Sequence, residues 1–276
     1  HANPYRTTGK VPQRAAFDSA RKLDAVAGAG WLMTLDVDEY LNIHVGDGHI
    51  RDLRVACPEA NVGSIPWRLF GSDDKTGFDD RPVTQRFTAC APRYCPRPHQ
   101  AWGFKTLYRN AGFFRRLGVH RPLGLEADRL AAVRWVDGSG RPFPQSAWRK
   151  VWRMTAETWG YELAPINHYA VRSAESFLVA RDRGRVSRTG RDQGTAYWFR
   201  MNQTAERDTS IQKYDTRVAK ERARLAALPG VAARHAAAGD WHRARIAALL
   251  GMPEYRALFD EITGPRLQKL SRMAGR

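Results

Sequence analysis

The chain has 276 residues, of which 43% are hydrophobic and 26% charged, a composition that supports a packed core and argues against global disorder. No apolar run approaches the roughly 20 residues needed to cross a bilayer. The first ten residues lack the apolar segment of a signal peptide and also lack an initiator Met. We therefore expect a soluble, cytoplasmic protein whose N-terminus has been cut off.

The charge balance is strongly basic, with a formal net charge of +17 at pH 7. Such a balance favours polyanionic partners, namely nucleic acid, an anionic membrane surface, acidic polysaccharide or a nucleotide diphosphate. The basic residues are scattered, and no helix-turn-helix, RNP or zinc-finger pattern is present, so nucleic acid is disfavoured. The three cysteines lack paired CxxC spacing, which indicates thiols in a reducing cytoplasm and not a zinc site.

The first predicted elements are a helix over 12–27, a glycine turn at 28–30 and a strand at Trp31–Leu35. The strand is short, almost wholly apolar and followed abruptly by carboxylates. A parallel strand buried on both faces has this pattern, so the three elements predict the second half of a βαβ unit.

The remainder alternates between strand-like pieces and helices. Strands are predicted at Val62–Phe70, Val83–Phe87, Phe104–Tyr108, Leu130–Val136 and Ile166–Val171. A short helix is predicted within Ser146–Gly160, and Ser173 is placed to cap another helix that runs to Arg181. The last third is Ala-, Arg- and Leu-rich and predicts helices at Ile211–Leu228 and Ala232–Leu250, separated by Pro229-Gly230.

The acidic segment Asp36-Val37-Asp38-Glu39 follows the first predicted strand directly. Alternation along the chain would place Asp36 and Asp38 on one side, where both point at one cation. Carboxylate oxygens suit Mn²⁺ or Mg²⁺, and such an ion bridges a substrate diphosphate. Two alternatives stay open: a solvated acidic turn, and an aspartyl-phosphate phosphatase with Asp36 as nucleophile, which Tyr40 disfavours.

Two basic segments are candidate phosphate-binding sites. Lys105, Arg109 and His120 lie in a stretch without acidic residues, and Arg183 and Arg185 flank Gly184 in the densest basic loop. Either segment would neutralise a diphosphate. The alternative is an ordinary solvated basic surface.

A series of short segments carries a resemblance that covers about Gln13 to Ile211. They are Pro12–Ala16, Trp31–Leu41, Trp67–Gly71, Arg86–Thr88, Lys105–Leu107, Gly118–His120, Ile166–Tyr169, Arg172–Phe177 and Arg183–Val186. Together they resemble bacterial glycosyltransferase family 2-like proteins and the related family 92 group.

The resemblance implies a GT-A-like α/β fold, a mixed sheet flanked by helices, over residues 1–210. Residues 211–276 would form a helical C-terminal extension. It also implies that earlier strands, which cradle the nucleoside in the family, precede this chain. The implied activity is metal-dependent transfer of a sugar from a nucleotide-diphosphate donor to a glycan or other hydroxyl acceptor, with inversion, in surface polysaccharide or glycoconjugate synthesis. Peripheral contact with an anionic membrane is compatible with it.

The same resemblance extends the candidate site. It implies that His168 joins Asp36 and Asp38 at the metal or diphosphate, and that Asp208 matches an acidic family position suited to the general base. Asp74, in the loop after the Trp67–Phe70 strand segment, is a second base candidate, and Trp67 or Trp102 would touch the acceptor. The competing hypotheses are a polyanion-binding module without catalysis and the phosphatase.

Overall fold

The computed structural model describes residues 3–97, 102–184 and 194–273. They form a mixed α/β structure with a curled mixed sheet, 42% helical and 15% strand. The coarse fold class expected from the sequence is therefore confirmed. Contacts divide the chain into two compact units, the first holding residues 3–68 and 95–168 and the second residues 69–94, 169–184 and 194–273.

The first unit contains the main sheet. The ten strands of the described residues are β1 (Trp31–Met33), β2 (Glu39–Leu41), β3 (Val62–Leu69), β4 (Ala89–Cys90), β5 (Phe104–Arg109), β6 (Phe114–Arg116), β7 (Leu123–Leu125), β8 (Trp135–Val136), β9 (Ile166–His168) and β10 (Glu206–Arg207). The sheet order is β1-β5-β3-β9-β2, with β8 parallel to β3. The β1–β5, β3–β5 and β2–β9 pairs are antiparallel.

The two faces of this sheet have different chemistry. On one face Val62, Phe104 and Tyr108 join an aromatic core built around Trp135 and Phe143. On the other face, Ile65 lies opposite Lys105 and Gly63 opposite Leu107. Because directly opposed residues point to the same side of a sheet, Lys105 belongs to the face that turns away from the aromatic core.

Helices occupy both units. The first unit has α1 (Tyr5–Thr8), α2 (Pro12–Ala20), α3 (Asp24–Ala27) and α4 (Ile50–Ala56), and the second has α5 (Val83–Arg86), α6 (Ala174–Arg183), α7 (Thr195–Met201), α8 (Asp215–Ala226), α9 (Val231–Leu250), α10 (Pro253–Thr263) and α11 (Pro265–Ser271). Pro12, Pro253 and Pro265 each occupy the first position of a helix. Proline is favoured there because its missing N–H has no partner to lose.

The second unit has its own core, in which buried side chains from α6, α7, α9 and α10 meet. These include Phe177, Trp198, Leu249 and Ile262, all at most 2% exposed. Phe177 packs edge-on against Trp198, with ring centroids 5.0 Å apart. The C-terminal helices thus share a unit with residues 69–94 and 169–184; the predicted domain boundary at residue 210 stays a prediction.

The first predicted strand differs from its expected form. It ends at Met33, is half-buried, pairs antiparallel with β5 and terminates the strand order, so the buried parallel strand predicted at Trp31–Leu35 is wrong. An apolar run of three residues does not distinguish a half-buried strand at the end of a sheet from a buried central one.

Four other predicted elements also differ. The strand predicted at Leu130–Val136 is only β8 (Trp135–Val136), and its first residues belong to the 3₁₀ helix Ala127–Ala132. The Val83–Phe87 segment is the helical turn α5, which begins after Pro82. The Ser146–Gly160 segment has only a 3₁₀ turn at Gln145–Ala147, and Trp148 stacks on Trp135 instead of extending a helix. The predicted helix over 12–27 is interrupted between α2 and α3. By contrast, Ser173, α8 and α9 agree with the sequence prediction.

Among the described residues, no helix combines the length and the apolar character that a membrane crossing requires.

Candidate functional site

The acidic segment is a tight turn between β1 and β2. The backbone N–H of Glu39 donates to the carbonyl of Asp36 at 3.1 Å, and the N–H of Asp36 donates to Glu39 Oε2 at 2.8 Å. Val37, at the tip, is 92% exposed. The directions of the Asp36 and Asp38 side chains are therefore determined by this turn. The prediction that strand alternation places both on one side is wrong, because the two residues do not lie in a strand.

A buried lysine joins two carboxylates of this turn. Lys105 Nζ lies 2.9 Å from Asp36 Oδ2 and 3.0 Å from Glu39 Oε2, and its side chain is 1% exposed. Gln13 of α2 donates to the other oxygen of Asp36 at 3.0 Å. The ammonium predicted to bind a diphosphate is thus already paired within the protein, and Asp36 is held by two donors.

Glu39 is the most deeply buried acid of the cluster. Its side chain is 0% exposed, and Oε1 has no hydrogen-bond partner among the described residues. Burial raises the pKa of the Glu39 carboxyl above its ordinary value, although the positive charges of His168 and Lys105 oppose this. Lys105 accordingly compensates a carboxylate that would be costly to bury alone.

His168 reaches the turn from β9, where it lies directly opposite Glu39 in the strand register. Its Nε2 is 3.8 Å from Asp38 Oδ2, and its buried Nδ1 has no hydrogen-bond partner in the part of the chain that the structure describes. Burial by itself lowers the pKa of His168. The nearby carboxylate of Asp38, together with the charge of Glu39, outweighs burial and raises that pKa.

Trp67 connects His168 to the second histidine of the site. Its ring centroid is 4.4 Å from that of His168 and 5.4 Å from that of His120. A Cβ atom at residue 103 would lie 2.3 Å from the Trp67 ring, so Gly103 allows the indole to rest against the backbone of β5. Trp67 is only 7% exposed, which leaves little of its face for stacking on a sugar.

His120 is a neutral histidine at physiological pH. Its Nδ1–H donates to the carbonyl of Phe104 at 3.1 Å, and its ring packs on Trp152 with centroids 4.9 Å apart. Burial and the nearby charge of Lys105 lower the pKa of His120 to about 4. The imidazole therefore offers Nε2 as a hydrogen-bond acceptor and carries no charge for a phosphate.

The donor set fits a divalent cation in part. Metal–oxygen bonds of about 2.1 Å require two ligands to lie within about 4.2 Å of each other, and Asp38 and His168 meet this condition at 3.8 Å. Both oxygens of Asp36 already accept hydrogen bonds, from Lys105 and from Gln13. Across the described parts of the chain, no group of three His, Cys, Asp or Glu side chains is placed to hold a metal.

The other basic candidates do not join this cluster. Arg109 ends β5, is exposed, and stands four residues from Lys105, about 13 Å along a strand. Arg183 is the exposed last residue of α6 in the second unit. Arg185 lies outside the described residues.

Both candidate bases are in the second unit and make local contacts there. Asp74 has a left-handed backbone (φ 57°) and forms an ion pair with Arg272. Asp208 Oδ1 accepts from the N–H of Ser210 at 2.7 Å. Their assignment as bases stays a prediction.

The turn residues and Lys105, His120 and His168 all belong to the first unit, where side chains from four separated segments meet. The sequence prediction named Glu39 only as part of the acidic motif, gave Gln13 no role, and proposed that Trp67 or Trp102 contacts the acceptor. The signal for Glu39 was its place inside the acidic motif. For Gln13 no signal in the sequence pointed to Asp36.

Comparison with protein-family models, curated proteins and solved structures finds no match for this chain.

Proposed function

We propose that the chain carries the catalytic region of a metal-dependent glycosyltransferase with a GT-A-like fold. The single observation that carries the proposal is the meeting of Asp38 and His168 beside an exposed acidic turn. The two residues are 130 positions apart in the chain, and their side chains meet at the mouth of a buried, charged cluster. Such convergence is typical of a functional site and is not needed to make a solvated turn.

Asp38 and His168 would hold Mn²⁺ or Mg²⁺, and water and donor phosphates would complete its coordination. The ion would neutralise the charge that develops on the departing nucleoside diphosphate. Lys105 and Gln13 fix Asp36 and so fix the turn that presents Asp38. Asp208 and Asp74 remain the proposed candidates for the base that deprotonates the acceptor hydroxyl.

The proposal is tested on the full-length protein, by measuring hydrolysis and transfer from UDP- and GDP-sugars with added Mn²⁺ or Mg²⁺. We expect Asp38→Asn and His168→Gln each to reduce turnover roughly 100-fold or more, because metal stabilisation of the leaving group contributes several kcal/mol. Asp128→Asn, whose side chain is 76% exposed in the same unit, is the matched control and should keep full activity.

Unchanged turnover in Asp38→Asn would contradict the metal site, and lack of turnover with every donor would contradict glycosyl transfer. The phosphatase hypothesis predicts another result: hydrolysis of an aryl phosphate that Asp36→Asn abolishes, with a trapped phosphoryl group on Asp36. Asp74→Asn and Asp208→Asn, compared under the same conditions, separate the two base candidates.

A further inference from the structure

The hairpin between α8 and α9 ends in an exposed apolar segment. Residues 225–233, here called the apolar tip, read Leu-Ala-Ala-Leu-Pro-Gly-Val-Ala-Ala and contain no charged or hydrogen-bonding side chain. All nine residues are exposed, and Leu225, Leu228 and Val231 are 40%, 44% and 37% accessible. Water-facing helices of a globular protein normally carry polar residues at such positions, so this segment is built to meet something apolar.

The rest of the hairpin leaves the tip accessible to solvent. No residue of α8 is buried, and the buried residues of α9 begin at Ile246, fifteen positions after the helix starts. Gly230 has a left-handed backbone (φ 75°) and, with Pro229, makes the sharp turn between the two helices. The second unit thus holds the C-terminal end of α9, and His235 Nε2, two residues after the tip, lies 3.0 Å from Asp80 Oδ2, while the nine residues of the tip itself are exposed.

Basic side chains bracket the apolar tip on both sides. Within residues 217–234 there are five basic residues and one acidic residue. Arg224 is ion-paired with Glu221 at 2.6 Å, whereas Arg222 and Arg234 have no ion-pair partner in the part of the chain that the structure describes. An apolar segment between free arginines has the chemistry of a bilayer interface, with acyl chains inside and anionic headgroups at the level of the arginines.

We propose that the apolar tip inserts into the surface of an anionic lipid bilayer, with Arg222 and Arg234 on the lipid phosphates. The alternative occupant, a second copy of this chain, is disfavoured by charge, because two chains of net charge +17 repel each other at a basic surface. The tip also lacks the aromatic residues that are enriched at protein interfaces. The inference is independent of the proposed glycosyl transfer.

The test is flotation of the chain with vesicles of phosphatidylcholine alone or with 30% phosphatidylglycerol, at two ionic strengths. We expect binding to the anionic vesicles only, weakened by salt. The triple variant Leu225→Ser, Leu228→Ser and Val231→Ser should bind at least about tenfold more weakly. Arg222→Gln with Arg234→Gln should have a comparable effect, since each arginine near the surface contributes to binding.

Matched controls change exposed residues elsewhere. Val55→Ser, at a valine 79% exposed on α4, controls for lost apolar surface, and Arg266→Gln with Lys269→Gln, both exposed on α11, controls for lost charge. The controls should bind like the parent chain, and circular dichroism should show that each variant is folded. Equal binding to both vesicle types, equal binding by the tip variants, or a dimer in sedimentation that the triple variant abolishes would each overturn the proposal.

Discussion

At the residue scale, the central interaction of the site is the buried ammonium group of Lys105, which forms ion pairs with two carboxylates. Lys105 contacts a fully buried carboxylate, Glu39, and a partly exposed one, Asp36, whose side chain is 40% accessible. A charge as deep as that of Glu39 is tolerated only when it is paired. Lys105 is therefore expected to matter first for the structure of the acidic turn, and only through that turn for any ligand.

Lys105→Met should strongly destabilise the first unit. Removing one partner of a buried ion pair typically costs about 3–5 kcal/mol, and we expect the lower part of that range because Asp36 retains contact with water. The double variant Lys105→Met with Glu39→Gln should recover part of the loss, since no buried charge is left without its partner. Urea unfolding of the four chains gives the coupling energy. Additive effects would contradict the direct pairing of Lys105 with Glu39.

His120 should make stability fall in mild acid. Burial and Lys105 lower its pKa to about 4 in the folded chain, below the ordinary value of 6.5. Between pH 6.5 and 4 the unfolded chain binds a proton that the folded chain does not, so this contribution is complete above pH 6.5 and lost as the pH falls. The loss amounts to about 1.4 kcal/mol per unit of pKa difference.

The measurement for His120 is the difference in unfolding free energy between the parent chain and His120→Gln from pH 7 to pH 4. That difference should shrink as the pH falls. Val55→Ser, at a valine 79% exposed on α4, is the control and should leave the pH profile unchanged because it removes no titratable group. A parallel profile for the parent chain and His120→Gln would contradict the buried, neutral state of His120.

At the scale of elements, α6 begins at a buried serine cap, and the N–H groups of Ala174 and Glu175 donate to the carbonyls of Lys75 and Thr76. Ser173 is fully buried, and its Oγ accepts from the N–H of Ser176 at 3.3 Å, which satisfies one free donor of the helix start. Residues of α6 such as Phe177 and Leu178 then enter the core of the second unit. The hydrogen bond between Ser173 and Ser176 thus stabilises the first turn of a helix that packs in the core.

Ser173→Ala should destabilise the chain by about 1–2 kcal/mol, the usual cost of losing a serine cap. We expect a loss of about 2 kcal/mol, the upper end of this range, because Ser176 is buried and its N–H would lose its hydrogen-bond acceptor. Thermal or urea unfolding measures it, with the exposed Ser146→Ala as the matched control. A loss no larger than that of the control would show that the cap contributes nothing.

At the scale of the whole molecule, the charge of +17 predicts binding to any polyanion. We expect heparin and single-stranded RNA to bind with a dissociation constant that rises steeply between about 50 and 200 mM salt, without sequence preference. Asp38→Asn should not weaken this binding, because it removes a negative charge. Tight binding that persists at the higher salt concentration would favour the polyanion-binding module over the transferase.

How much of the fold could be predicted depended on whether a signal was local. Ser173 as a cap and Pro229-Gly230 as a break act within a few residues, and the helices that they mark were predicted correctly. The Trp-rich segment 146–160 was predicted wrongly because Trp148 stacks on Trp135, a long-range contact that overrides local propensity. Val83–Phe87 was also predicted wrongly, since it forms a helical turn after Pro82. The pairing direction of β1 was likewise set by β5, which lies about 70 residues away.

The sequence by itself determined the mixed α/β class, the basic character of the chain, the helical last third and the acidic motif as the place to look for a site. These properties follow from the amino-acid composition, the spacing of hydrophobic residues and the residues at helix ends, all of which can be read without knowing long-range contacts. Only the tertiary structure decided that Lys105 pairs with Asp36 and Glu39, that His168 faces Asp38 and that His120 is held neutral. Those outcomes depend on burial and on distances between strands, because the charge that a side chain carries and the partner that it binds are fixed by its surroundings in space.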